Sequence, residues 1–157
     1  MLPICSTERS TMTKDEVATK VRQTFEVWNT HEAEGQAQFY TSSATVRDSA
    51  DPDNAATGQD AIVARARMIL DGFSDAKLEV VSIAVDGSRA CTEWRFSGTH
   101  DGMFLDVPAS GQMIVNLGAT VQEFDGDGKI VSENAYWDVA LFLRETGVLP
   151  AAAAATS

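Results

Sequence analysis

The sequence predicts an α+β fold, on three observations. Apolar residues recur at helical spacing in the segments up to Phe73, and after Asp75 the period drops to two in four consecutive segments. Turn signals such as Asp86-Gly87 and DGDG (125–128) sit between those segments, so helices come first and a strand meander follows. A long antiparallel sheet with helices on one face can curl around them and leave a pocket.

The elements follow in order. Residues 1–12 read as an unstructured extension, and TKDEVATKVRQTFEVWNTHE (13–32) as a helix. Thr13 is its N-cap and Glu16 stands where a capping box needs it, while Val17, Val21, Phe25 and Trp28 form one apolar face. Glu32–Tyr40 is a second, short helix, ATVRDS (44–49) a short strand, and DPDNAATG (51–58) a turn-rich stretch. Gln59–Phe73 is a third helix with Ile62, Met68 and Ile69 facing the core. Strands are expected over 78–87, 88–100, 112–124 and 129–138, with a glycine-rich loop at 101–111. Val139–Thr146 forms a last helical turn, and 151–157 is an alanine-rich tail outside the ordered domain of 13–150.

Composition narrows the function. The chain has 157 residues, the size of one ordinary domain. With 12 Lys+Arg against 23 Asp+Glu, its net charge of −11 opposes docking on a phosphate backbone or an anionic lipid surface, so neither nucleic acid nor membrane is expected as a partner. The start lacks the charged and apolar regions of a signal peptide. Two cysteines, Cys5 and Cys91, read as thiols of a reducing cytoplasm.

Several motifs fail on inspection. DGDG opens like a calcium loop, but Tyr136 stands where the bidentate Glu belongs. His31 and His100 have no metal-ligand spacing with each other or with the cysteines, so no metal is expected. Cys91 and His100 are separated by about nine strand residues, roughly 30 Å, too far for a nucleophile–base pair.

The text EWRFSGTHDGMF with VPASG, then EFDGDGKIVSENAYWD and LRETGVLP, resembles the SnoaL-like polyketide cyclases over residues 14–150. That family sits in the nuclear transport factor 2-like superfamily with ketosteroid isomerases and limonene epoxide hydrolases. The resemblance implies a cystatin-like cone, a curved, mainly antiparallel mixed sheet wrapped around the N-terminal helices. It also implies an apolar cavity and a homodimer, and no cofactor.

The family register aims alternate strand residues into the cavity. It places Trp94, Phe96 and His100 inside from one strand, Ile114, Asn116, Thr120 and Gln122 from the next, and Val131, Glu133, Ala135 and Trp137 from the last. Phe25 and Trp28 join them from the first helix. The substrate-binding set is therefore Phe25, Trp28, Trp94, Phe96, Asn116, Thr120, Gln122 and Trp137, around a hydrophobic small molecule.

Asp48 leads the catalytic candidates. ATVRDSADPDNAATG is similar to the ketosteroid isomerase stretch whose aspartate carries a proton between carbons, and an apolar cavity mouth suits a carboxylate to that work. The plainer alternative is a strand-end Asp that bonds to turn amides. The family's acid on the last strand falls on Ala135, which cannot move a proton, and the epoxide hydrolase Arg–Asp pair falls on Trp94 and Phe96. The isomerases' two oxyanion-hole acids fall on Thr24 and Thr120. Glu133, on the same strand face as Ala135, is the candidate replacement acid, with solvent exposure as the alternative. His100 is either a third acid–base group or a structural anchor of the following loop. Asp138 is expected to hold an arginine or a helix N-terminus, and the loop 102–110 is either a lid or a dimer contact. Two readings remain: a cyclase-, isomerase- or lyase-type proton-transfer enzyme, or a ligand binder on the same fold, with epoxide opening a third.

Overall fold

A computed structural model of the chain describes residues 11–153. The extension 1–10 and the last four tail residues lie outside the described residues, while Met12 packs against the core and so belongs to the ordered chain. Helix α1 (Lys14–Trp28) begins with the expected capping box: Glu16 donates its backbone N–H to Thr13 Oγ1 at 3.3 Å, and Thr13 N donates to Glu16 Oε2 at 2.7 Å. A 3-10 helix (Ala33–Phe39) leads into strand β1 (Tyr40–Asp48), longer than the sequence indicated.

The stretch read as turns is a strand, β2 (Asp51–Thr57), antiparallel to β1 at the edge of the sheet. Its polar, Pro-containing sequence gives no strand period because it is almost wholly exposed, and an edge position tolerates Pro52. Helix α2 (Gln59–Gly72) follows. Then come β3 (Lys77–Asp86), β4 (Arg89–Thr99), β5 (Met113–Phe124), β6 (Ile130–Trp137) and the short helix α3 (Val139–Glu145).

The sheet order is β2-β1-β6-β5-β4-β3, antiparallel except where β1 runs parallel to β6. That pair sets Val46 beside Glu133 and Asp48 beside Ala135, so residues far apart in the chain share one concave face. The inward alternation fails at Val131. Ser132 pairs with Glu123 and Ile130 with Phe124, which leaves Val131 as a bulged residue and puts Ile130 in the core instead.

Two apolar clusters fill the ends of the fold. In one, Val17, Val21 and Phe25 of α1 pack on Ala44, Val46 and Ile130 of the sheet. In the other, Phe73, Phe104 and Phe142 pack edge to face beside Ile114, with Phe73–Phe104 centroids 5.3 Å apart and Phe104–Phe142 5.2 Å. On α2, Ile62, Val63 and Ala66 are buried, whereas Met68 is 39% exposed.

Trp94 reaches across β5 only because residue 118 has no side chain. A Cβ there would stand 2.4 Å from the indole and 2.6 Å from the Tyr136 carbonyl. Gly118→Ala should therefore displace Trp94 and destabilise the protein by ~1–3 kcal/mol, read as a lower urea midpoint with unchanged slope.

Candidate active site

Between the two clusters lies a cavity of about 470 Å³. Its walls are apolar and aromatic: Phe25 and Trp28 from α1, Trp94 and Phe96 from β4, Trp137 from β6, Phe104 and Leu105 from the loop after β4. Asn116, Thr120 and Gln122 from β5 complete the expected substrate-binding set along this surface. Asp48 and Glu133 both line it, and His100 and Val131 do not.

Asp48 ends β1 at the cavity mouth. Its Oδ1 accepts from the Ala50 amide at 2.8 Å and from Trp137 Nε1 at 2.7 Å, while Oδ2 takes a hydrogen bond from Arg65 Nη2 of α2. The turn-amide contact and the cavity position thus coexist. The Asp48 and Arg65 side chains are 19% and 17% exposed, so this ion pair is poorly screened and three donors stabilise the carboxylate charge.

Glu133 is 8% exposed and faces inward. Its Oε2 accepts from Tyr40 Oη at 2.7 Å and from Gln122 Nε2 at 2.8 Å, and among the described residues no cation pairs with it. Burial, with the Glu133 charge beside it, pushes the Tyr40 hydroxyl well above its ordinary ionisation range, so it stays a donor. From strand spacings of ~4.8 Å across and ~3.3 Å along, the backbones of Asp48 and Glu133 lie roughly 8 Å apart on one face. The two carboxylates share one hollow, one paired with a cation and one with neutral donors.

Several expected roles turn out to be structural. Asn116 spends its amide on the Asp138 backbone, donating to the carbonyl at 2.8 Å and accepting from the N–H at 3.2 Å. Thr24 donates its hydroxyl to Val21 O at 2.7 Å. Trp94 Nε1 donates to Thr120 Oγ1 at 2.8 Å, which leaves the Thr120 hydroxyl proton unassigned. Asp138 caps α3 by accepting from Leu141 N at 2.8 Å and lies 3.8 Å from Arg144, as its outward position implied.

His100 is fully buried away from the cavity, its ring against Phe73 and Phe142 at 5.3 and 5.2 Å. Its Nδ1 accepts from the Ser110 amide at 3.3 Å and lies 3.0 Å from Ser110 Oγ. The imidazole anchors the base of the 101–111 loop, the duller of its two readings. That loop is pinned elsewhere too: Asp101 bonds to Ser74, and a Cβ on Gly102 would sit 1.9 Å from Asp71 O. At its tip Leu105 and Asp106 hold left-handed φ of 49° and 60°, at a cost of ~1–2 kcal/mol each. It forms a fixed cavity wall.

Arg65 and Tyr40 are the site residues that sequence reasoning missed. Arg65 reads as the solvent face of an amphipathic helix, and Tyr40 as core packing. Only the β1–β6 register and the approach of α2 reveal them. Among the described residues no three His, Cys, Asp or Glu side chains converge as a cation site.

A model of the SnoaL-like polyketide cyclase family matches residues 18–146. The chain belongs to that family. Solved structures agree on the fold. A provisionally assigned SnoaL-like polyketide cyclase from a Jannaschia species aligns with a TM-score of 0.76 at 19% identity, covering 90% of this chain and 99% of that one. AclR from Streptomyces galilaeus, a provisionally assigned hydroxylase, gives 0.78 at 24% identity over 89% and 86%. A ketosteroid isomerase-like protein from Catenulispora acidiphila, solved with trimethylamine, gives 0.70 at 16% identity over 86% and 95%. A comparison with curated proteins finds no match.

Burial holds His100 below the usual imidazole range, against weaker opposition from the Val107 carbonyl and Asp101. The unfolded chain therefore binds the extra proton first. Stability should be full above pH ~6.5 and fall as pH drops from there through the lower folded value. His100→Gln should flatten the dependence of the urea midpoint over that window.

Proposed function

We propose that this member of the family is a cofactor-independent proton-transfer enzyme of the cyclase, isomerase or lyase type, acting on an apolar carbonyl compound of polyketide or terpenoid character. The observation that carries it is the pair Asp48 and Glu133 on one concave face of an apolar cavity. In the first step a C–H bond next to the substrate carbonyl breaks and its proton passes to an oxygen of Asp48. The electron pair forms a carbon–carbon double bond, and the carbonyl π pair moves onto oxygen. Protonation at another carbon, or attack of the enolate carbon on a second carbonyl, then consumes the intermediate. Glu133 is the second carboxyl, returning or relaying a proton beside an apolar wall of Trp94, Phe96 and Trp137. Ala135 supports this division: it lies beside Asp48 across the β1–β6 pair, so a small side chain there leaves room for the carboxylate from the next strand.

Proton exchange into β-tetralone in deuterated buffer, followed by mass spectrometry, tests the step without knowledge of the natural substrate. Wild-type protein should speed exchange over buffer. Asp48→Asn should lose that acceleration by about 10²–10⁴-fold while quenching of the cavity tryptophans still reports ketone binding. Wild-type exchange no faster than buffer would leave only the ligand-binder reading, and equal acceleration by Asp48→Asn would remove Asp48 as the base.

The homodimer rests on the outer sheet face. Met113, Val115, Leu117 and Tyr136 are exposed there, Leu117 by 63%, along the neighbouring strands β5 and β6. Leu117→Asp should convert the dimer to a monomer in light scattering after size exclusion. The cytoplasmic placement is proposed on cysteine usage, Cys91 being an exposed thiol. No described helix is long and apolar enough to cross a membrane.

A further inference from the structure

An enolate needs a partner for its oxygen, and the donors along the cavity can be counted. The Asn116 amide gives one of its two N–H bonds to Asp138, and Gln122 Nε2 one of its two to Glu133. Trp137 and Trp94 spend their indole N–H groups on Asp48 and Thr120, Thr24 spends its hydroxyl on Val21, and Asn54 donates to Asp51. Five groups keep a donor without a protein acceptor among the described residues: the Thr120 hydroxyl, the Trp28 indole, the second N–H of the Asn116 and Gln122 amides, and the Arg65 guanidinium. Arg65 commits one of its five N–H bonds, to Asp48, and is the one cation among the cavity-lining residues.

Resting on the proton-transfer reading above, we infer that Arg65 is a further catalytic residue, the cationic donor that holds the substrate oxygen as negative charge develops there. The placement fits the substrate class, an enolisable ketone, ester or thioester, because the acidic carbon and the oxygen are two bonds apart. One guanidinium that already touches the base can reach that oxygen with a second N–H.

The charge balance favours the step. Before proton transfer Arg65 faces the Asp48 carboxylate. Afterwards Asp48 is a neutral acid and the negative charge sits on the substrate oxygen, so the guanidinium faces one anion throughout. An electrophile already oriented by an ion pair needs little reorganisation when the charge moves. Threonine, indole and amide are neutral and provide weaker, charge-free hydrogen bonds.

The probe is para-nitrophenol, whose phenolate is coloured and resembles an enolate, with para-nitroanisole as the form that cannot ionise. Asp48→Asn imitates the protonated base and frees the arginine. In that variant the bound phenol should ionise about one pH unit lower than in wild type, a gain of about tenfold for the phenolate. Adding Arg65→Gln should abolish the gain without changing para-nitroanisole binding, and Arg65→Lys, which keeps the charge and preserves folding best, should retain part of it.

The inference is overturned if Asp48→Asn shows no such gain, or if the gain survives the loss of Arg65. It is independent of the exchange experiment. Unimpaired β-tetralone exchange by Asp48→Asn removes Asp48 as base yet leaves the phenolate result standing, whereas a failed phenolate result leaves Asp48 as base with another oxygen partner.

Discussion

Everything at the site depends on how Asp48 is held. Its carboxylate ties together three pieces of chain: the turn into β2 through Ala50, helix α2 through Arg65, and β6 through Trp137. Each contact is a hydrogen bond to an ion, of the kind worth ~1.5–3 kcal/mol. Together they fix the mouth of the cavity and orient one indole along its wall. An acid placed there without partners would be costly in so apolar a setting; with them, it is both strut and reagent.

Glu133 is the counterpart. It is more deeply buried and satisfied by a phenol and an amide instead of a cation. Desolvation is thus met by different means at two neighbouring carboxyls, a cation at one and neutral donors at the other. Tyr40 has a definite part in this. It opens the strand that ends in Asp48 and bonds to the second acid, so β1 supports both groups from its two ends.

Much of the architecture was legible because it is written in period and punctuation. The capping box at Thr13, the apolar face of α1 and the alternation along β4 and β5 each follow from local chemistry. What escaped depends on neighbours. A polar strand exposed on both faces, β2, has no alternation to read. The bulge at Val131 is set by a one-residue mismatch between β5 and β6, invisible in either strand alone. The eight cavity-wall residues and both carboxyls were legible through family register. The commitments of Asn116, Gln122 and His100 to other protein groups were not, since hydrogen-bond partners belong to the tertiary structure.

The stiffness of the 101–111 segment has a consequence for traffic. That segment is pinned by Asp101 and packed aromatics, so the solvent-exposed lining residues of β2 and α2, Asp51, Asn54 and Met68, mark the doorway. This doorway is acidic on a molecule of strongly negative charge. Anionic guests meet a barrier that ionic strength lowers, whereas uncharged greasy ones cross it indifferent to salt.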